Sequence, residues 1–224
     1  MPVYNGDKYI RKTIESVLSQ TFFDFEFIVI DDGSTDNTYD ILKSFNDNRI
    51  KILNQNHGGI VKALNLGIKE SQGEYVIRID ADDICAFNRF ETLVKYMDEN
   101  VDVSICGSWA RTIDENNNII GELKYPPINH KDIKKYAILH NPFIHPSVIL
   151  RKKTLNISGP YKNFKHNEDY ELWTRILKIG KGHNLSEFLI DYRIHQNQVT
   201  RKSNIKMRLI GVWVRVLAVL RLSF

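Results

Sequence analysis

Three short acidic runs are where this chain could do chemistry. Asp80-Ala81-Asp82-Asp83 places three carboxylates in four positions directly after the apolar run YVIRI, residues 75–79. At about 4 Å and an effective dielectric near 20, each like-charge pair would repel by roughly 4 kcal/mol. Something positive has to compensate. A hard divalent cation, Mg2+ or Mn2+, is the economical choice, because carboxylate oxygens are its ligands and the bound ion in turn attracts phosphate. The plain alternative is a solvated loop with a helix-capping acid. The second run, Asp31-Asp32-Gly33-Ser34-Thr35-Asp36, follows FEFIVI at 25–30. A tight turn at Gly33 and a helix cap from Ser34, Thr35 or Asp36 explain its last four residues. They leave Asp31 and Asp32, which when ionised only accept hydrogen bonds and suit the imide of a uracil or a ribose hydroxyl. The third run, Glu168-Asp169, opens a helical pattern containing Trp173, Ile176 and Leu177. Acids in a first turn oppose the helix dipole. A carboxylate aimed from that position could also serve as a general base toward an incoming hydroxyl.

Two histidines add to these runs. His195 ends FLIDYRIH and could be a metal ligand, a phosphate donor or a plain surface residue. His145, in NPFIHPSV, is a possible substrate contact.

The elements around these residues follow from periodicity. Ile10, Ile14, Val17 and Leu18 mark one face of a helix over 9–18, with Asp7 available as its cap. FEFIVI has strand length and the continuous apolar character of a strand covered on both faces. Ile41, Leu42 and Phe45 mark a helix, IKIL at 50–53 a strand, and Ile60, Leu64 and Ile68 a helix ending near Gly73. YVIRI is the next strand. Phe90, Leu93, Val94 and Met97 give a further helix. This alternation predicts right-handed βαβ units and a mainly parallel sheet. In such sheets ligands bind beyond the carboxyl ends of the strands, where the first two acidic runs fall. From about residue 101 the pattern loosens. VDVSICG, a turn at DENNN and IIGEL read as hairpin-like strands, followed by a short helix at 131–140, a helix at 168–179 and a strand at FLIDYRI.

The 224 residues, 42% of them hydrophobic, suffice for one sizeable core, and one domain is expected. The net charge of +4 comes from Lys and Arg scattered over most of the chain, which does not imply a nucleic-acid partner. Cys85 and Cys106 have neither zinc-site spacing nor the density of a disulfide scaffold, as expected of buried thiols in a reducing cytoplasm. No secretory leader pattern is present. The C-terminal stretch MRLIGVWVRVLAVLRLSF carries Arg208, Arg215 and Arg221 at roughly seven-residue spacing on an otherwise apolar helix. That reads either as an interfacial helix or as one docked on the domain or a second subunit.

PVYNG, SVLSQTF, FIVIDDGSTDNT, NLGI, GEYVIRIDADD, HPSVILRK, EDYELWTRI and YRIH, in that order, resemble the family 2 inverting glycosyltransferases of the GT-A fold, especially bacterial enzymes that build surface polysaccharides. The likeness runs from residue 2 to about 200. It implies an α/β fold with a Rossmann-like, mainly parallel sheet flanked by helices, a smaller mixed acceptor-side region and a C-terminal amphipathic helix. It divides the chain into a catalytic domain at 1–204, with a nucleotide-sugar half at about 1–100 and an acceptor half at about 101–204, and a helix at 205–224.

By the same resemblance Pro2 and Tyr4 lie at the nucleotide, with Tyr4 stacking on the base and Asp31 or Asp32 contacting uracil. Asp80 holds the ribose, Asp82 is the metal ligand of a DXD motif, Asp83 supports it, and Lys62 lies near the donor phosphates. Asp169 is the catalytic base with Glu168 its neighbour, and His195 sits near the metal and diphosphate. The implied cofactor is Mn2+ or Mg2+. The implied partners are a nucleotide-diphosphate sugar, with UDP as the expected carrier, and a glycan or lipid-linked saccharide, without nucleic acid. Work is expected in the cytoplasm, with the inner face of the plasma membrane as a further place and the 205–224 helix as the point of membrane contact or dimerisation. A loop near 154–167 is a candidate lid.

Three departures from the family accompany these expectations. The first central strand is expected to be essentially missing, because little precedes PVYN. Phe87 stands where a proline is usual. Gln198 and Arg201 match part of the processive-synthase signature, but Lys202 replaces its tryptophan, so one sugar per encounter is expected. Two other readings stay open: a sugar-nucleotide nucleotidyltransferase, for which MPVYNGDKYI lacks a Gly-rich phosphate loop, and a sugar-nucleotide-binding scaffold.

Overall fold

A computed structural model describes residues 1–195 and 205–222; Gln198, Arg201 and Lys202 lie outside the described residues. The first half builds a parallel three-stranded sheet in the order β1 (Pro2–Val3), β2 (Phe27–Asp31), β3 (Ile50–Asn54). All five residues of β2 are buried, as a continuous apolar strand between helical layers requires. One layer is α1 (Ile10–Leu18), which buries Ile10, Ile14 and Val17; α2 (Thr38–Lys43) and α3 (Ile60–Glu70) complete the crossovers.

The first strand is short but present. The Met1 amine donates to Ile28 O at 2.8 Å, Ile30 N to Met1 O at 2.9 Å and Asp32 N to Val3 O at 2.8 Å. This carries the ladder into the acidic run as far as Asp32, against the expectation of an essentially missing strand. Asp7 does not cap α1: its N–H donates to Asp36 Oδ2 at 3.2 Å, and Gly6 O accepts from Tyr9 N and Ile10 N instead.

The next strand, β4 (Tyr75–Ile77), leaves the parallel sheet. It pairs antiparallel with β8 (Ile149–Arg151) in a mixed sheet ordered β4-β8-β6-β9-β5. Its other members are β5 (Ile84–Cys85), β6 (Val103–Ile113) and β9 (Lys181–Arg193), with β7 (Ile119–Leu123) forming the expected hairpin on β6. The two long strands β6 and β9 run parallel. A cleft of about 740 Å³, lined by Met1, Phe27, Ile28, Tyr75 and Ile77 among others, separates the amino ends of β2 and β4.

Helix α4 (Arg89–Glu99) and α5 (His130–Tyr136) cover this second sheet. Helix α7 (Glu168–Ile179) buries Trp173, Ile176 and Leu177 in a cluster with Phe143, Leu150 and Tyr161. Residues Lys152–Ser158 form α6, and Arg175 of α7 binds the carbonyls of Ser158, Gly159 at 3.0 Å and Pro160 at 2.8 Å. Tyr161 and Asn65 exchange two hydrogen bonds of 2.8 and 2.9 Å. The candidate lid at 154–167 is therefore anchored through Tyr161, because these carbonyls have the partly buried donors Arg175 and Asn65 to meet. The last helix, α8 (Ile205–Leu222), packs Val214, Ala218 and Leu222 into the interior beside α7.

Candidate active site

The loop after β2 shows how local sequence shapes a site. Gly33 turns the chain at φ +77°, where an added Cβ would sit 3.0 Å from His57 N. Asp36 Oδ1 accepts from Thr38 N at 3.0 Å and steadies the start of α2. Asp32 turns inward. Its Oδ1 accepts from Gly58 N at 2.8 Å and Gln55 Nε2 at 2.5 Å, and its Oδ2 accepts from Gly59 N at 2.8 Å beside His57 Nδ1 at 3.0 Å. Burial alone would raise the Asp32 pKa, but these bonds more than offset it and hold the carboxyl below its ordinary 3.8. Asp31 is less committed: Oδ1 accepts from Ser34 N at 3.0 Å. Tyr4 projects beside this loop, half exposed, its ring 4.2 Å from that of His57. Lys62 is exposed on the first turn of α3, with its stem close to Gly58, and Pro2 lies one position before Val3, the residue in register with Asp31.

The second acidic run forms a different kind of corner. One carboxylate oxygen each from Asp80, Asp82 and Asp83 lies within 4.8 Å of the others. The main chain is fixed from two sides. Thr13 Oγ1 donates to the carbonyls of Ala81 and Asp83 at 3.0 and 2.8 Å, and Arg193 Nε donates to the Asp82 carbonyl at 2.7 Å. Asp83 is fully buried, accepts Arg193 N–H on Oδ1 at 2.9 Å, and has no hydrogen-bond partner on Oδ2. Burial first, then Asp82 and Asp80, drive its pKa well up. Asp82 is raised by burial and then by Asp80, while His195 Nε2, 3.0 Å from its Oδ2, pulls it back.

The compensating charge within the protein is Arg78. It is 5% exposed, forms an ion pair with Asp80, and its field also reaches Asp83, Glu168 and Asp169. The sequence shows this arginine inside YVIRI, where it reads as a strand residue. Its signal was a cation two positions before the first acid in an otherwise apolar run.

The residues fit a hard divalent ion. Three carboxylates converge, an imidazole nitrogen faces one of them, and a buried carboxylate oxygen lacks a donor. Asp82 and His195 present the outward-facing ligand atoms, each partly exposed, whereas Asp83 is enclosed beneath the loop.

Across from this corner, α7 opens with Glu168 and Asp169. Asp169 Oδ1 accepts from Tyr170 N at 2.7 Å and Oδ2 from Asn141 Nδ2 at 2.6 Å, so the carboxylate is held at both oxygens. Burial raises its pKa against these bonds and the Arg78 field. Glu168 is buried with Oε2 unpartnered, and burial followed by the Asp169 charge lifts it to about 7. His145 lies beneath, its Nε2 3.0 Å from the Tyr161 hydroxyl and its ring against Trp173; burial holds it well below the usual histidine range. Asn141, Gln55 and Arg193 escaped the sequence reading because their partners lie 28, 23 and 111 residues away along the chain. Phe87, where the family usually has proline, is an exposed residue just before α4.

Comparison with known proteins places the chain in a family. The family model described as "Glycosyl transferase family 2" matches residues 1–158. The O-antigen biosynthesis glycosyltransferase WbnJ of Escherichia coli is 37% identical over 211 residues, 91% of this chain and 81% of that protein. A UDP-Gal:alpha-D-GlcNAc-diphosphoundecaprenol beta-1,3-galactosyltransferase, also of Escherichia coli, is 32% identical over 92% of this chain and 77% of its own length. Among solved structures, TarS residues 1–349 of S. aureus in complex with UDP-GlcNAc superimposes with a TM-score of 0.81 at 19% identity, covering 100% of this chain and 66% of that one. The chain belongs to glycosyl transferase family 2, as a glycosyltransferase of GT-A fold.

Proposed function

We propose that this glycosyltransferase moves one sugar from a UDP-sugar to a hydroxyl of a glycan or lipid-linked saccharide, with inversion at the anomeric carbon, in cell-surface polysaccharide synthesis on the cytoplasmic side of the membrane. The observation that carries the reading is Arg78, which is ion-paired to Asp80 on one side and felt by Glu168 and Asp169 on the other, so one buried cation joins the two acidic groups. Support for the substrates comes from the relatives, one named for O-antigen biosynthesis and one for a UDP-Gal donor with a diphosphoundecaprenol acceptor.

In this reading Tyr4 stacks on the base, Pro2 lies beside it and Asp31 accepts from the uracil imide. Asp32 acts indirectly by folding the 55–59 loop under the nucleotide. Asp80 takes the ribose hydroxyls, and Lys62 reaches the donor phosphates. Asp82 and His195 would hold a Mn2+ or Mg2+ ion, with Asp83 supporting the loop. Such an ion, when bound, supplies positive charge for the departing diphosphate. Asp169 takes the proton from the acceptor hydroxyl as that oxygen attacks the anomeric carbon, and Asn141 fixes the direction of its carboxylate. Glu168, with its Oε2 unpartnered and its pKa raised by burial, lies next to it and tunes its charge. Residues 1–204 act as one catalytic domain, with the donor bound by about 1–100 and the acceptor by about 101–204.

The test is transfer from a panel of nucleotide sugars, with product configuration read by NMR, for wild type and Asp169→Asn. The expected result is an inverted product from wild type and a loss of roughly a hundredfold or more in the variant, with donor binding kept. A retained product, or full activity in Asp169→Asn, removes the mechanism. Metal-dependent donor binding without turnover in wild type favours the scaffold reading.

A further inference from the structure

The helix α8 has two faces that ask for different surroundings. Inward, Val214, Ala218 and Leu222 are buried, and Arg221 Nη1 donates to Glu171 Oε1 at 3.0 Å and Thr174 Oγ1 at 2.6 Å on α7. Outward, Leu209 (65% exposed), Val212, Trp213 (54%), Val216, Val219 and Leu220 (63%) all face solvent. Steps of three and four residues put them on one stripe of the helix. Single exposed hydrophobics need no explanation, but six large ones in a row do.

Charge decides what covers them. The helix Ile205–Leu222 contains Lys206, Arg208, Arg215 and Arg221 and no acidic residue. Arg215 is exposed, and its helical position puts it at the margin of the stripe. A second copy docked through this face would bring the exposed Arg215 against an equally basic helix, with no carboxylate on either α8 to pair with. A membrane surface bearing anionic headgroups supplies acyl chains for the stripe and phosphate for its margin. No described helix is long and apolar enough to cross a membrane, so the helix would lie in the plane, with Trp213 at the depth aromatic residues favour.

We propose that α8 is an interfacial helix that rests its Leu209–Leu220 stripe on an anionic lipid surface. The contact also sets where chemistry happens. An added Cβ at Gly211 would stand 3.5 Å from Asn167 Oδ1, so α8 passes directly beside the residue preceding Glu168 and Asp169. Docking therefore holds the acidic opening of α7 at a fixed height above the headgroups. The proposal does not depend on the catalytic reading.

Flotation of the full chain with vesicles of phosphatidylcholine alone, or with added phosphatidylglycerol, tests it. Wild type is expected to float with the anionic vesicles, less with the neutral ones, and less again at high salt. The pair Trp213→Glu with Val216→Glu, both on the solvent side, is expected to lower the floated fraction roughly tenfold or more while leaving the melting temperature unchanged. Asp169→Asn is expected to float as wild type, which separates this contact from catalysis. Wild type staying with the unbound fraction, undiminished flotation of the double variant, or equal flotation on neutral vesicles would overturn the proposal. So would a dimer in light scattering that the same double variant dissolves, without vesicle binding.

Discussion

Asp31-Asp32 and Asp80-Ala81-Asp82-Asp83 occupy comparable places, the first closing the strand β2 and the second just beyond β4, yet their carboxylates do different work. After β2, Asp32 spends both oxygens on the loop at 55–59, and backbone and side-chain donors leave it easily ionised. After β4, the carboxylates face one another, two are raised in pKa, and the balancing charge is a buried arginine. The first loop is organised by its own hydrogen bonds. The second holds electrostatic tension that a cation relieves.

The difference gives a graded set of expectations. Asp82→Ala should have the largest effect, because charge neutralisation at a leaving group is worth several kcal/mol, roughly a thousandfold or more in turnover. Its melting temperature should be no lower than wild type, since one of three crowded carboxylates is gone. A large fall in stability with activity kept would make this corner structural like the first. Arg78→Met should follow, at about 4 kcal/mol of stability in denaturant titration, since it strands Asp80 and leaves Glu168 and Asp169 without their nearby cation. An unaffected midpoint would show that Arg78 does not balance the acids.

Glu168→Gln works through pH. A carboxyl raised from 4.5 to about 7 in the folded state costs nothing below pH 4.5. Its penalty grows as pH rises to about 7 and is complete above that, at up to about 3 kcal/mol. Removing it should stabilise the protein at pH 8 more than at pH 4.5, and equal gains at both would contradict the assignment. Asp32→Ala should be the mildest, about 2 kcal/mol of stability at neutral pH. Asp32 has a lowered pKa, so its contribution is present above 3.8 and lost as pH falls through the folded value. A variant equal to wild type at pH 7 would erase the contrast between the loops.

Much of this frame was legible in the sequence. The 3.6-residue spacing of Ile10, Ile14 and Val17, or of Phe90, Leu93 and Met97, gives helices whose buried faces are those residues. The coincidence of acids with strand ends located both loops. What was not legible depends on distant partners. Nothing near Asp32 announces that Gly58 and Gly59 will consume it, and nothing near Asp169 announces Asn141. The departure of β4 into a mixed sheet is likewise non-local, because its partner β8 lies more than seventy residues on. Arg78 was visible within YVIRI but drew no role, since strand periodicity alone does not say that a charged side chain turns inward.

The most direct test of the account is calorimetric titration of UDP into wild type, Asp82→Ala and Asp169→Asn, each with Mn2+ and with a chelator. The account predicts manganese-dependent binding in wild type and Asp169→Asn, and none of that dependence in Asp82→Ala. Equal affinity with manganese and with chelator in wild type would contradict the claim that the carboxylates beyond β4 grip a cation for the diphosphate.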